Sequence, residues 1–298
     1  MTSKQMPSPG SGPNPAALPH RLRAKPASAP PVPNRPVIGK HPSPPNVFGD
    51  AFVAVDHATV TMVAHRALAE RSGGRAIAIS GIREMIIRHH ASPQQLARSK
   101  AESDALQRLG MAPLLQGMGR FPANPQTRKG NLAEIVLAEY VAATTPLKVP
   151  VYRLRYNPNV EQSMKGDDVL AFDLDADPVR VVVGEAKFRA QSTRQAVEEI
   201  VQGLERSRKA GIPISLLFVA DRLFDEGRND LGRRVLECAT LFALGKLQID
   251  YVGFLLSDEG SASRVDNATP VTTRRLAMVS LGVSDPVAIA DACFDGLA

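Results

Sequence analysis

The 298 residues contain no tryptophan, aromatic residues make up only 5%, and there are just two cysteines, Cys238 and Cys293. Two thiols exclude both a disulfide framework and a cysteine-built zinc cluster. Cys238 lies in an apolar helical run and reads as a small buried hydrophobe. Scarce aromatics disfavour a base-stacking platform for single-stranded nucleic acid. No stretch approaches the roughly 18 consecutive apolar residues of a membrane-spanning helix. The N-terminus lacks the apolar core of a signal peptide, so a reducing, cytoplasmic setting is expected. Acidic residues are missing from positions 1–49, which carry Lys4, Arg21, Arg23, Lys25, Arg35 and Lys40. The net charge of +6 resides in that segment, because the remaining 30 Lys and Arg balance 30 Asp and Glu.

Thirteen of the 24 prolines fall within residues 1–47, among Ser, Ala and Gly. Such a segment cannot bury enough apolar surface to fold alone and reads as a disordered, basic, Pro-rich tail. Residues 48–125 look helical, with runs over Ala58–Glu70, Ile82–His90 and Pro93–Leu109, the last opened by Ser92-Pro93 and closed by Gly110. His57, His65, His89 and His90 read as ordinary surface residues, since adjacent helical positions diverge by about 100°. Residues 126–298 form the main domain. A loop over Phe121–Asn131 leads into a buried helix over Asn131–Ala143, then a strand at Val149–Tyr156. After a hairpin come a helix over Ser192–Lys209, an apolar strand at Ile214–Ala220 and a helix over Gly227–Leu244. Strands at Leu247–Leu256 and Arg275–Val283 and a closing helix over Asp285–Leu297 complete an α/β pattern, a mixed sheet flanked by helices.

Met164–Arg189 carries the chemistry. Val169–Leu174 and Val179–Lys187 are strand-like, and Asp175-Ala176-Asp177-Pro178 supplies a turn between them. A turn centred between Ala176 and Asp177 pairs Asp168 with Glu185, placing their Cβ atoms roughly 4.5–5.5 Å apart on one face. Lys187, two residues on, shares that face. A bulged turn would instead bring Asp167 opposite Glu185. Two carboxylates and an amine at the end of a strand pair suit a divalent metal. Glu134 admits two readings: a capping-box residue behind an Asn131 N-cap, or a third carboxylate delivered by a helix beside the hairpin.

Gly166-Asp167-Asp168 before one strand and Glu185-Ala186-Lys187 at the end of the next resemble the PD-(D/E)XK nuclease superfamily. NLAEIVLAEY, GDDVLAF and VGEAKFR together are similar to the nuclease domain of the HamA family, effectors of Hachiman anti-phage defence, over roughly residues 126–260. The resemblance implies a restriction-endonuclease-like fold and a nuclease acting on DNA with a helicase partner. It implies that Asp168, Glu185 and Glu134 hold Mg²⁺, with Mn²⁺ as a substitute, and that Lys187 completes the catalytic set. Arg128, Lys129 and Arg189 flank these residues and are candidates for holding the phosphate backbone. A catalytically silent nuclease-fold module that binds nucleic acid or docks a helicase, and a repair or junction-resolving nuclease, are the alternatives.

Overall fold

Every strand among the described residues joins one six-stranded sheet. The computed structural model describes residues 35–115, 119–271 and 275–297, which belong to one compact unit. Most of the Pro-rich tail lies outside the described residues. Its last part is ordered: Arg35–Ile38 forms a 3₁₀ turn, and Val37 and Ile38 are buried in the core. The buried Arg66 guanidinium donates to the carbonyls of Ile38, Gly39 and Lys40, anchoring this stretch and ending the expectation of disorder before residue 47.

The strands are β1 (Phe52–Ala58), β2 (Ala64–Glu70), β3 (Val169–Asp173), β4 (Val179–Phe188), β5 (Leu247–Ser257) and β6 (Leu276–Gly282). The outer pairs β1–β2 and β3–β4 are antiparallel, whereas β2–β6, β6–β5 and β5–β4 are parallel. The helix expected over Ala58–Glu70 is therefore a hairpin arm, and β2 sits inside the main sheet. Residues 48–125 are helical in α1 (Val47–Ala51), α2 (Arg75–His90) and α3 (Pro93–Arg108). The start of α3 is as expected, with a capping box between Ser92 and Gln95.

One face of the sheet packs against α2, α4 (Pro125–Thr144) and α9 (Pro286–Phe294). The other packs against α5 (Arg194–Ala210), α6 (Leu216–Asp225), α7 (Asn229–Ala243) and α8 (Ser261–Ala268). Val182 faces the first layer, and Val181 and Val183 the second. Each is fully buried, contributing about 1.5–3 kcal/mol. This two-sided burial is why β4 reads as an apolar run rather than an alternating one.

Three further expectations are corrected. Ile214–Ala220 is not a strand: Leu216, Val219, Ala220 and Leu223 form the buried stripe of α6, and a short apolar run fits either period. Val149–Tyr156 is also no strand; it contains a 3₁₀ turn at Arg153–Tyr156, with only Lys148 bridging to Phe172. His89 and His90 are buried, His89 against Glu139 at 2.7 Å and His90 against the Ile86 carbonyl at 2.9 Å. Among the described residues, no helix is long and apolar enough to cross a membrane.

Candidate active site

The β3–β4 hairpin has the expected register. Val169 pairs with Gly184, and Asp173 with Arg180, so the next pair outward is Asp168 with Glu185. β3 stops at Val169, leaving the last turn of β4 without a strand on that side. Asp168 fills the gap with its side chain: Oδ2 accepts from the Ala186 backbone N–H at 2.9 Å. Glu185 and Lys187 lie on the α5 face, and Lys187 Nζ donates to Glu185 Oε1 and to the Ala186 carbonyl, the latter at 3.3 Å.

Asp167 is occupied elsewhere. Its carboxylate accepts from Ser207 Oγ at 2.8 Å and the Ser215 N–H at 3.0 Å, and its own N–H donates to Ser215 Oγ. These bonds pin the loop ahead of β3 to α5 and to the residue before α6, and they settle which aspartate faces Glu185. Gly166 makes the turn possible. Its φ is +115°, and a Cβ there would stand 2.6 Å from Ser215 Oγ, a conformation and a space only glycine accepts.

Glu134 is not a cap residue. α4 begins two turns earlier, with Asn124 as N-cap and Pro125 behind it, so Glu134 sits mid-helix and is buried. Its Oε1 lies 2.8 Å from Arg153 Nε. Arg153 also donates to the Asp167 and Met164 carbonyls, joining α4 to the loop that carries Asp168. Burial pushes the Glu134 carboxyl up to about 8, helped by the like charges of Asp168 and Glu185; Arg153 offsets only part of this. Burial likewise raises Glu185, with Asp168 adding to it and Lys187 and Arg206 opposing it. α5 passes close overhead at Gly203, where a Cβ would stand 2.6 Å from the Glu185 carboxyl carbon.

The three acids are not gathered on one point. Glu134 faces Arg153, Glu185 faces Lys187, and Asp168 faces a backbone amide. Glu134 and Glu185 are raised first by burial and then by the like charge of Asp168, and the three acids offer hard oxygen donors. That donor set fits a divalent cation such as Mg²⁺. Of the flanking cations, Arg128 donates to the Pro122 carbonyl at 2.7 Å and stacks on Phe294. Arg189 pairs with Glu199, and Lys129 Nζ lies over the Phe188 ring at 5.9 Å. Sequence reasoning missed Arg153, Gly203, Ser207 and Ser215. Only Gly166, as a turn glycine before the motif, left a local signal.

The family model described as HamA matches residues 77–276. The Hachiman protein HamA of Bacillus cereus is 35% identical over 259 residues, spanning 87% of this chain and 93% of that protein. The family match takes in Glu134, Asp168, Glu185 and Lys187, and by its extent and that identity the chain belongs to the HamA family.

Proposed function

We propose that this protein is a metal-dependent nuclease cleaving phosphodiester bonds of DNA, built on a restriction-endonuclease-like PD-(D/E)XK arrangement. In this reading it is the effector of an anti-phage defence system and works with a helicase partner. The observation that carries the proposal is the docking of Asp168 on the Ala186 amide beside the Glu185–Lys187 pair.

Asp168, Glu185, the Ala186 carbonyl and Glu134 would hold Mg²⁺, or Mn²⁺ in its place. When bound, the metal supplies a Lewis acid for the phosphodiester oxygen and a water of lowered pKa. Lys187, whose Nζ already spans Glu185 and the Ala186 carbonyl, orients the attacking water and offsets charge building on the phosphorane-like transition state. Arg153 holds Glu134 and the Asp168 loop in register. Lys129 is the best placed of the three flanking cations for the DNA backbone, because Arg128 and Arg189 already serve protein partners.

The test is nicking of plasmid DNA with Mg²⁺, alone and with the helicase, by wild type, Asp168→Ala and Lys187→Ala. Cleavage by wild type and its loss in both variants is expected. Equal activity in all three rejects the assignment.

A further inference from the structure

A second group of ligand-type side chains lies toward the other edge of the sheet. His57 of β1 and His65 of β2 are direct cross-strand partners, with ring centroids 5.4 Å apart. Asp266 of α8 lies across both: Oδ2 is 2.8 Å from His57 Nδ1, and Oδ1 is 2.7 Å from His65 Nδ1. One ligand atom from each residue fits within a 4.8 Å span, the only such three-residue group among the described residues.

We propose that His57 Nδ1, His65 Nδ1 and a carboxylate oxygen of Asp266 bind a transition-metal ion of the zinc class, clipping α8 to the β1–β2 hairpin. Two imidazoles and a carboxylate are the nitrogen and oxygen donors this class takes, at about 2.0–2.2 Å, leaving a fourth position open to water. The neighbouring residue is suited to it as well. His65 Nε2 lies 2.8 Å from Ser280 Oγ on β6, the outer partner that fixes the tautomer of a ligating histidine. His65 is fully buried, with Nδ1 turned onto Asp266. Without metal, Nδ1–H donates to Asp266 and Nε2 accepts from the Ser280 hydroxyl. With metal, the ring proton moves to Nε2, the Ser280 hydroxyl turns to accept it, and Nδ1 offers its lone pair. The ring keeps one proton throughout. His57 and Asp266 are partly exposed, with side-chain exposures of 34% and 22%, which gives an ion a way in.

This group is separate from the nuclease candidate. His65, Met278, Gly253 and Glu185 occupy one cross-strand row, so His65 and Glu185 share a face but stand three strand spacings, about 14 Å, apart. The Met278 side chain lies over Gly253 and fills the row between them.

The test uses Co²⁺ as a spectroscopic probe on the full chain carrying Glu134→Gln, Asp168→Ala and Glu185→Ala, which removes the nuclease carboxylates. One equivalent of Co²⁺ with visible ligand-field absorption is expected. Adding His57→Ala abolishes the band, and adding Ser280→Ala instead weakens binding about 10–100-fold. Should His57→Ala fail to fold by circular dichroism, Asp266→Asn decides by the same band, since it keeps the shape of the carboxylate. No visible absorption, or a band that survives loss of His57 or the Asp266 charge, overturns the proposal.

Discussion

Glu134→Gln separates the cost of the candidate site from its use. In the folded protein the Glu134 carboxyl is raised from its ordinary 4.5 to about 8 by burial and by like charges, despite Arg153. A carboxyl raised on folding contributes fully to stability below its unfolded value, and that contribution is lost as pH rises toward the folded value. At pH 7 the unfolded chain has released the proton and the folded chain has kept it. The gap of about 2.5 pH units then costs the native state about 3 kcal/mol, at 1.36 kcal/mol per unit. Glutamine keeps the shape and cannot ionise, so it removes that cost. The expected gain is roughly 6–12 °C in Tm at pH 7, taking about 2–4 °C per kcal/mol. It shrinks to about 0.4 kcal/mol at pH 4.5, where the unfolded carboxyl is half protonated, and vanishes below that pH. The assay is thermal unfolding in EDTA at pH 4.5, 6, 7 and 8, paired with Mg²⁺-dependent nicking, which should fall sharply. A variant whose Tm tracks wild type across the whole range would refute the burial argument.

Two further substitutions probe the supports of the site. Asp167→Ala leaves Ser207 Oγ and the Ser215 N–H without their buried acceptor, costing roughly 2–5 kcal/mol; chemical denaturation should show it, and Asp167→Asn should lose less. Gly203→Ala sets two effects against each other. Helix propensity gains about 1 kcal/mol, while a Cβ 2.6 Å from the Glu185 carboxyl carbon costs about 1–3 kcal/mol in crowding. Little change in Tm with a marked loss of cleavage is the expected pair of results, and unchanged cleavage would argue against Glu185 as a working group.

The parts of the fold that local chemistry dictates were legible in the sequence. The Asp-Ala-Asp-Pro turn and the two strand-like runs around it fix the β3–β4 register, and with it Asp168, Glu185 and Lys187. α3, α5 and α9 follow from their caps and spacing, and α7 from its spacing alone. Contacts between distant residues were not legible. Ala58–Glu70 is rich in alanine and reads as helix, whereas Ala64–Glu70 is a strand between β1 and β6, the latter some 200 residues on. Asn124-Pro125 is a good helix start, but Asn131, three residues before Glu134, offers a competing N-cap signal that the sequence alone does not reject. His57 and His65 looked isolated because Asp266, their carboxylate, is 209 and 201 positions away. Arg153 shows the same limit: nothing near it in sequence points to Glu134.

The central claim is that Asp168 and Glu185 share one divalent cation. It is met most directly by titrating Mn²⁺ with electron paramagnetic resonance detection, in a His57→Ala background so that the histidine group adds no second ion. One Mn²⁺ per chain is predicted, lost when Asp168→Ala or Glu185→Ala is added and kept when Lys187→Ala is added. Equal Mn²⁺ uptake by all four proteins, or none by the His57→Ala protein, would contradict it.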